Sequence, residues 1–238
     1  MIPDSVETID ERAFYGCTNL RTVSFSSSVS NIEESAFRDC FSLESINIPD
    51  SVMYIGYETF YNCKNLTSIV IGNSVTSIGM RAFSGCKRLT SVTIPDSVES
   101  LAMGAFSNCE SLTSMYIPAS VTNIAGDVFC GCSSLTAIEV NESNDEYTSI
   151  EGVVFSKDGT ILSQYPRGRE GEYTIPDNVT TIGNYAFYCC DKLTSVKVPD
   201  SVTSIGAGAF QRCSSLTSIN IPDSIQWGSY RLSFFFKN

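Results

Sequence analysis

Apolar residues along this chain fall into a register that returns every 23 residues. Phe14, Phe37, Phe60, Phe83, Phe106 and Phe129 keep it without a break, and it resumes at Phe187 and Phe210. Three positions after each Phe comes a Cys: Cys17, Cys40, Cys63, Cys86, Cys109, Cys132, Cys190 and Cys213. Three further on comes a Leu: Leu20, Leu43, Leu66, Leu89, Leu112, Leu135, Leu193 and Leu216. A short fixed period with fixed apolar positions predicts a solenoid, in which each coil buries its apolar edge only against its neighbours.

The elements of one coil follow from its cleanest copy. Leu89, Val92 and Ile94 point one way while Ser91 and Thr93 alternate outward, and the β-branched content supports a strand. Pro95-Asp96-Ser97 predicts a turn, because Pro fixes φ and removes an N–H while Asp and Ser bond nearby backbone. Val98 and Leu101 point inward from a second short extended segment. Ala105, Phe106 and Cys109 then fit the spacing of one helical turn. The residue before Phe is small at Ala13, Ala36, Ala82, Ala105, Ala186 and Ala209, and Thr59 and Val128 break the series.

The period fails once, between Cys132 and Cys190, where an extra segment spans roughly 141–176. Two apolar runs, Val153-Val154-Phe155 and Thr160-Ile161-Leu162, flank Ser156-Lys157-Asp158-Gly159, which predicts a β-hairpin. Residues 165–171 form a turn-rich return loop, and Tyr173-Thr174-Ile175-Pro176 restores the repeat. The segment either widens one coil or offers a protruding edge to a partner. At the N-terminus Met1 opens directly into a repeat, with no charged region and apolar stretch of a secretory signal. This chain is expected to be a piece of a longer protein or one that is not exported by such a signal. After Ile225, Trp227 and Phe234-Phe235-Phe236 have no counterpart in the repeat, so 226–238 is expected to be an atypical cap or a truncated end.

Composition narrows the chemistry. A net charge of −11 disfavours nucleic acid and anionic membrane surfaces, both of which need clustered Lys and Arg. No window approaches the run of about 18 apolar residues that membrane insertion requires. The absence of histidine removes Ser-His-Asp and Cys-His systems and most zinc sites, leaving carboxylate or Lys chemistry open. Of the 10 cysteines, those in the repeat register should form a buried column with coils roughly 4.8 Å apart. Parallel side-chain vectors suit disulfide torsions poorly, so these cysteines are expected to act as small hydrophobes. Cys130 and Cys189 lie off the register and are the better candidates for reactive thiols. Glu142, Asp145 and Glu146 do not match a calcium loop, and no catalytic motif is present. Asp4, Asp50, Asp96, Asp200 and Asp223 share one edge and are expected to be solvated turn residues. No catalytic, cofactor or metal residue is therefore expected.

The A-F-x-x-C-x-x-L core and the I-P-x-S-V-x-x-I turn recur about eight times over residues 2–225. This signature resembles the BspA-like class of leucine-rich repeats. The resemblance implies an α/β-type leucine-rich-repeat solenoid with parallel strands, short second strands, single helical turns and about eight coils. Residues 1–225 would form one solenoid, elaborated at 141–176. It also implies a cell-surface or secreted protein of the adhesin type, with no catalytic residues to carry over.

Function would then sit on the exposed strand positions, which form two columns. The first reads Thr22, Ser45, Ser68, Ser91, Ser114, Ala137, Ser195 and Ser218, nearly uniform and small. The second reads Ser24, Asn47, Val70, Thr93, Tyr116, Glu139, Lys197 and Asn220, and its variation can encode specificity. Tyr116 is the expected anchor, because aromatics dominate hot spots, with Val70, Glu139 and Lys197 flanking it. The expected partner is a protein, such as an extracellular-matrix or other host surface protein, with a glycan as the alternative, and the chain is expected to be a monomer. A structural spacer is the competing reading. An enzyme built on Glu142, Asp145 or Glu151 is the least supported, since a repeat surface offers few enclosed clefts.

Overall fold

Two rows of short parallel strands run along the chain in the computed structural model, which describes residues 1–223 and 225. The first row holds Ser45–Asn47, Ser68–Val70, Ser114–Ile117, Ala137–Val140, Gly171–Thr174, Leu193–Lys197 and Ser218–Asn220. The second holds Thr8–Ile9, Asn31–Ile32, Tyr54–Ile55, Ser77–Ile78, Ser100–Leu101, Asn123–Ile124, Thr181–Ile182 and Ser204–Ile205. Neighbours pair one period apart, so like faces like: Ile46 opposes Ile69, and Ile55 opposes Ile78. Segment 91–94 keeps the alternation, with Val92 and Ile94 buried and Ser91 and Thr93 exposed. The result is a solenoid of about 9 turns. The proposed cap at 226–238 lies outside the described residues.

The repeated Phe builds the spine of the core. Rings from Phe14 to Phe106 stack 5.0, 5.4, 5.3 and 5.4 Å apart, and the spacing widens to 6.3 Å at Phe129. Stacked rings contribute about 0.5–1.5 kcal/mol per pair beyond the area they bury. The cysteines do more than fill space. Cys40, Cys63, Cys86, Cys109 and Cys132 are buried, and each thiol lies 3.0–3.4 Å from the carbonyl of the Phe one coil back, to which it donates.

The predicted helical turn does not form, and no helix occurs among the described residues. Residues two before and two after the repeated Phe are left-handed in every such turn but that of Phe129, where only Gly131 is; φ is 58° at Arg12 and 69° at Gly16, and 50° at Glu58 and 59° at Asn62. The consequence is an alternation of amides. Ala13, Tyr15 and Cys17 donate to carbonyls of their own coil, whereas Arg12, Phe14 and Gly16 donate to Glu34, Ala36 and Arg38 of the next. A helix would direct every amide along its own coil and leave the next coil unpaired. The left-handed conformation costs a non-glycine residue about 1–2 kcal/mol, and the inter-coil bonds offset it.

The elaborated coil contains the hairpin. Val153–Ser156 and Ile161–Gln164 are antiparallel, and Tyr147–Ile150 adds to the other side of the first strand. Ile161–Gln164 then joins the second row through parallel pairing with Thr181–Ile182. This coil carries no A-F-x-x-C turn, so the turn of the coil before it approaches that of the coil after it. A disulfide and a buried arginine help to stitch the gap. Cys130 and Cys189 form a disulfide with a Cα–Cα distance of 5.5 Å, which corrects the expectation that both are reactive thiols. Arg167, 1% exposed, donates Nη1 to the carbonyls of Tyr165 (2.7 Å) and Ala186 (2.8 Å). Its Nη2 reaches Gln164 Oε1 (3.1 Å) and the carbonyls of Gly126 and Tyr185 (both 3.2 Å). The buried apolar residues accordingly divide into two clusters that meet at Val153 and Val154.

Candidate binding face

The strand face is a consequence of strict alternation. Ile46, Ile69, Val92, Met115 and Ile138 are buried, which forces Asn47, Val70, Thr93, Tyr116 and Glu139 into solvent. Register places Asn47 beside Val70 and Tyr116 beside Glu139. Val70 is 60% exposed and Tyr116 49%, so both present apolar surface on a rigid support.

Tyr116 is held in place. Its hydroxyl accepts a hydrogen bond from Asn141 Nδ2 at 2.8 Å. The Glu139 carboxylate accepts one from the Ser149 hydroxyl at 3.1 Å, and Ser149 in turn accepts from the Val140 amide at 3.0 Å. Elements of the elaborated coil therefore fix two neighbours on the face. Such anchoring reduces the ordering cost of binding.

The seven expected positions do not form one continuous column. Ile138 N–H donates to Gly152, Gly168 N–H donates to Leu135, and Arg169 Nε reaches the Thr136 carbonyl at 2.8 Å, so the elaborated coil lies directly against Ala137–Val140. Lys197 instead stands between Thr174 and Asn220. Asn47, Val70, Thr93, Tyr116 and Glu139 make one group, and Lys197 and Asn220 another. Asn220 binds the backbone of Val198 through both its amide atoms, at 3.0 and 2.9 Å, which is a role in the sheet. The residues that sequence reasoning missed are Asn141 and Ser149. Asn141 is the first residue past the strand and Ser149 lies on a strand of the elaborated coil, and no local pattern marks either.

The acidic stretch at 142–146 holds its own cation. Lys157 Nζ donates to the Glu142 carbonyl at 2.8 Å and to that of Asn144. Asn144, fully buried, bonds the carbonyls of Pro118 and Val121 at 2.9 Å each. Among the described residues, no three carboxylate, thiol or imidazole groups gather as metal ligands. An open depression of about 480 Å³ lies against Asp177, Val198, Pro199, Asp200 and Ser201, formed by the turns of two adjacent coils.

Comparison with known proteins adds an independent line. The family described as BspA type leucine rich repeat region matches in 6 copies, at residues 1–79, 53–165 and 171–236. A leucine rich cell surface protein from Faecalibacterium prausnitzii is similar in structure, with a TM-score of 0.79 and 38% identity over 94% of this chain and 60% of that one. The pneumococcal vaccine antigen PcpA gives a TM-score of 0.67 and 28% identity over 94% of this chain and 51% of its own. A leucine-rich repeat protein from Eubacterium ventriosum gives 0.59 and 25% over 77% and 61%. The chain thus spans about half to three fifths of the length of these structures. No curated protein matches the chain.

Proposed function

The chain belongs to the BspA-type leucine-rich-repeat family, and from that premise we propose that it is a non-catalytic, protein-binding solenoid of the adhesin type. The observation that carries the reading is the pinned, half-exposed Tyr116 ring beside Glu139 and in line with the exposed Val70. An aromatic anchor with restrained rotamers on a flat, rigid strand face suits recognition of another protein. Residues 1–225 act in this reading as one solenoid, with 141–176 as an elaboration that braces the face.

A cell-surface or secreted location is part of the proposal. It is supported by the surface description of the Faecalibacterium protein and by the Cys130–Cys189 bond, since disulfides persist in oxidising compartments and are rare in the cytosol. The test is binding of the purified chain to a panel of extracellular-matrix and plasma proteins. A Val70→Ser/Tyr116→Ala/Glu139→Ser variant runs beside it, with Lys197→Ser as a second arm. Saturable binding that the triple variant loses supports the strand face. Binding by parent and triple variant alike refutes that location, and no binding by the folded chain favours the spacer reading.

A further inference from the structure

A second exposed surface lies on the other row of strands, away from the face discussed above. Met53 is 61% exposed, Tyr54 37%, Met80 40% and Met103 51%. These belong to three consecutive coils. Met80 and Met103 share one repeat position with Tyr57, and the backbone ladder runs through all three: Ser35 N–H donates to Tyr57 (2.9 Å), Glu58 N–H to Met80 (3.0 Å) and Arg81 N–H to Met103 (3.0 Å). Between this column and Tyr54 run Gly56, Gly79 and Ala102, which leave a low floor. A Cβ at Gly79 would come within 2.7 Å of the Ile55 carbonyl, so that position is confined to glycine.

The fold does not require apolar groups here. The same repeat position is Glu11, Glu34, Asn184 and Ala207 in other coils. Three of the chain's 5 methionines nevertheless stand on this patch, in solvent. Methionine is polarizable and adaptable, and it recurs at binding surfaces that accept varied apolar groups. The rim supplies the second determinant. Glu34 continues the column past Tyr57, Glu33 accepts a hydrogen bond from the Tyr54 hydroxyl at 3.0 Å, and the exposed Glu99 holds the Met53 position in the coil of Met103. The cations on this side are already engaged, Arg12 by Glu11 at 3.2 Å and Arg81 by Glu58 at 3.5 Å.

We propose that the Met53–Tyr54–Tyr57–Met80–Met103 patch is a docking surface for a basic amphipathic protein segment. Its apolar side chains lie on the methionines, and its Lys or Arg residues reach the Glu33–Glu34 end. The patch combines an exposed apolar stretch, which marks an interaction site when rimmed by polar groups, with carboxylates at its Glu33–Glu34 end that favour a basic partner. The surface is independent of the strand face.

The experiment uses a fluorescent amphipathic Leu/Lys peptide as probe, with a Leu/Glu peptide of the same pattern as control, read by anisotropy at physiological salt. The parent chain binds Leu/Lys saturably and ignores Leu/Glu. Met53→Ser/Met80→Ser/Met103→Ser weakens binding at least about tenfold, a loss of about 1.4 kcal/mol, while Val70→Ser/Tyr116→Ala leaves it unchanged. All three methionines are exposed, so the variant folds, which far-UV circular dichroism checks. Bound peptide also slows peroxide oxidation of Met53, Met80 and Met103, resolved by mass spectrometry. Binding that the methionine variant retains overturns the proposal, because it then reports net charge alone. So does an absence of saturable binding, and so does self-association of the parent that the methionine variant abolishes, which would make a second copy the occupant.

Discussion

Replacing both Cys130 and Cys189 by Ser tests how the solenoid crosses its elaborated coil. Stacked rings run from Phe14 to Phe129 and begin again with Phe187 and Phe210, 4.8 Å apart, with Tyr165 tilted against Phe187 at 4.9 Å. No ring contact joins Phe129 to Tyr165 among the described residues. Across that gap the turn side has the disulfide, the Arg167 bond to Gly126 at 3.2 Å and a Gln164 bond to Ala125 at 3.4 Å. The disulfide closes a separation of 59 residues, and loop-closure entropy alone assigns it about 4 kcal/mol. Nearest-neighbour coupling in a solenoid confines the loss to the coils on one side of the break. The double variant is therefore expected to unfold its C-terminal coils, from Thr181 onward, at lower urea than the N-terminal ones. The oxidised parent loses both together. Urea melts followed by circular dichroism give the size of the effect, and hydrogen exchange gives its location. Addition of reductant should bring the parent onto the variant's curve. A shift worth less than about 1 kcal/mol, or protection lost evenly along the chain, would refute the view that the bond spans a weak junction.

Two further expectations concern buried groups. Arg167→Met removes the donor to five oxygens and should cost at least about 3 kcal/mol in urea melts, with Arg167→Lys recovering part of it; equal stability of Met and Arg would show that the guanidinium is dispensable. Stability should also fall with alkali. Burial pushes the Cys40 thiol from 9.0 up to about 12 and the Tyr165 phenol from 10.0 up to about 12, and it also raises Cys63 and Cys109. A folded-state pKa raised above the unfolded one makes the contribution complete below about pH 9 and lost as pH climbs toward 12. Urea midpoints that stay level from pH 8 to 11 would contradict it.

Not all of the site was legible in the sequence, and particular residues show why. At the second position after Phe, Gly16, Asp39, Asn62, Gly85, Asn108 and Gly131 are residue types that tolerate left-handed backbone, Cys189 and Arg212 hold the same position in the last two such turns, and all have positive φ. That column is a readable sign against a helix. The second position before Phe gives no such sign, since Arg12, Ser35, Glu58, Arg81 and Tyr185 are equally left-handed there without any compositional bias. Their conformation is imposed by the coil above and the coil below. Tyr116 and Glu139 were visible as outward strand positions, but Asn141 and Ser149, which hold them, were not.

What the sequence determined by itself was everything the period controls. Identical residues at 23-residue intervals meet identical neighbours, so the strand rows, the Phe stack and the buried thiol column follow from local spacing and burial alone. What only the tertiary structure decided lies where the period breaks. The elaborated coil omits its turn, and this brings Cys130 to Cys189 and sets Arg167 among carbonyls from both sides of the gap. The same break separates Lys197 from Glu139 on the strand face. These contacts join segments tens of residues apart. Their geometry depends on how a non-repeating segment fills the space between two regular stacks, which no local spacing encodes.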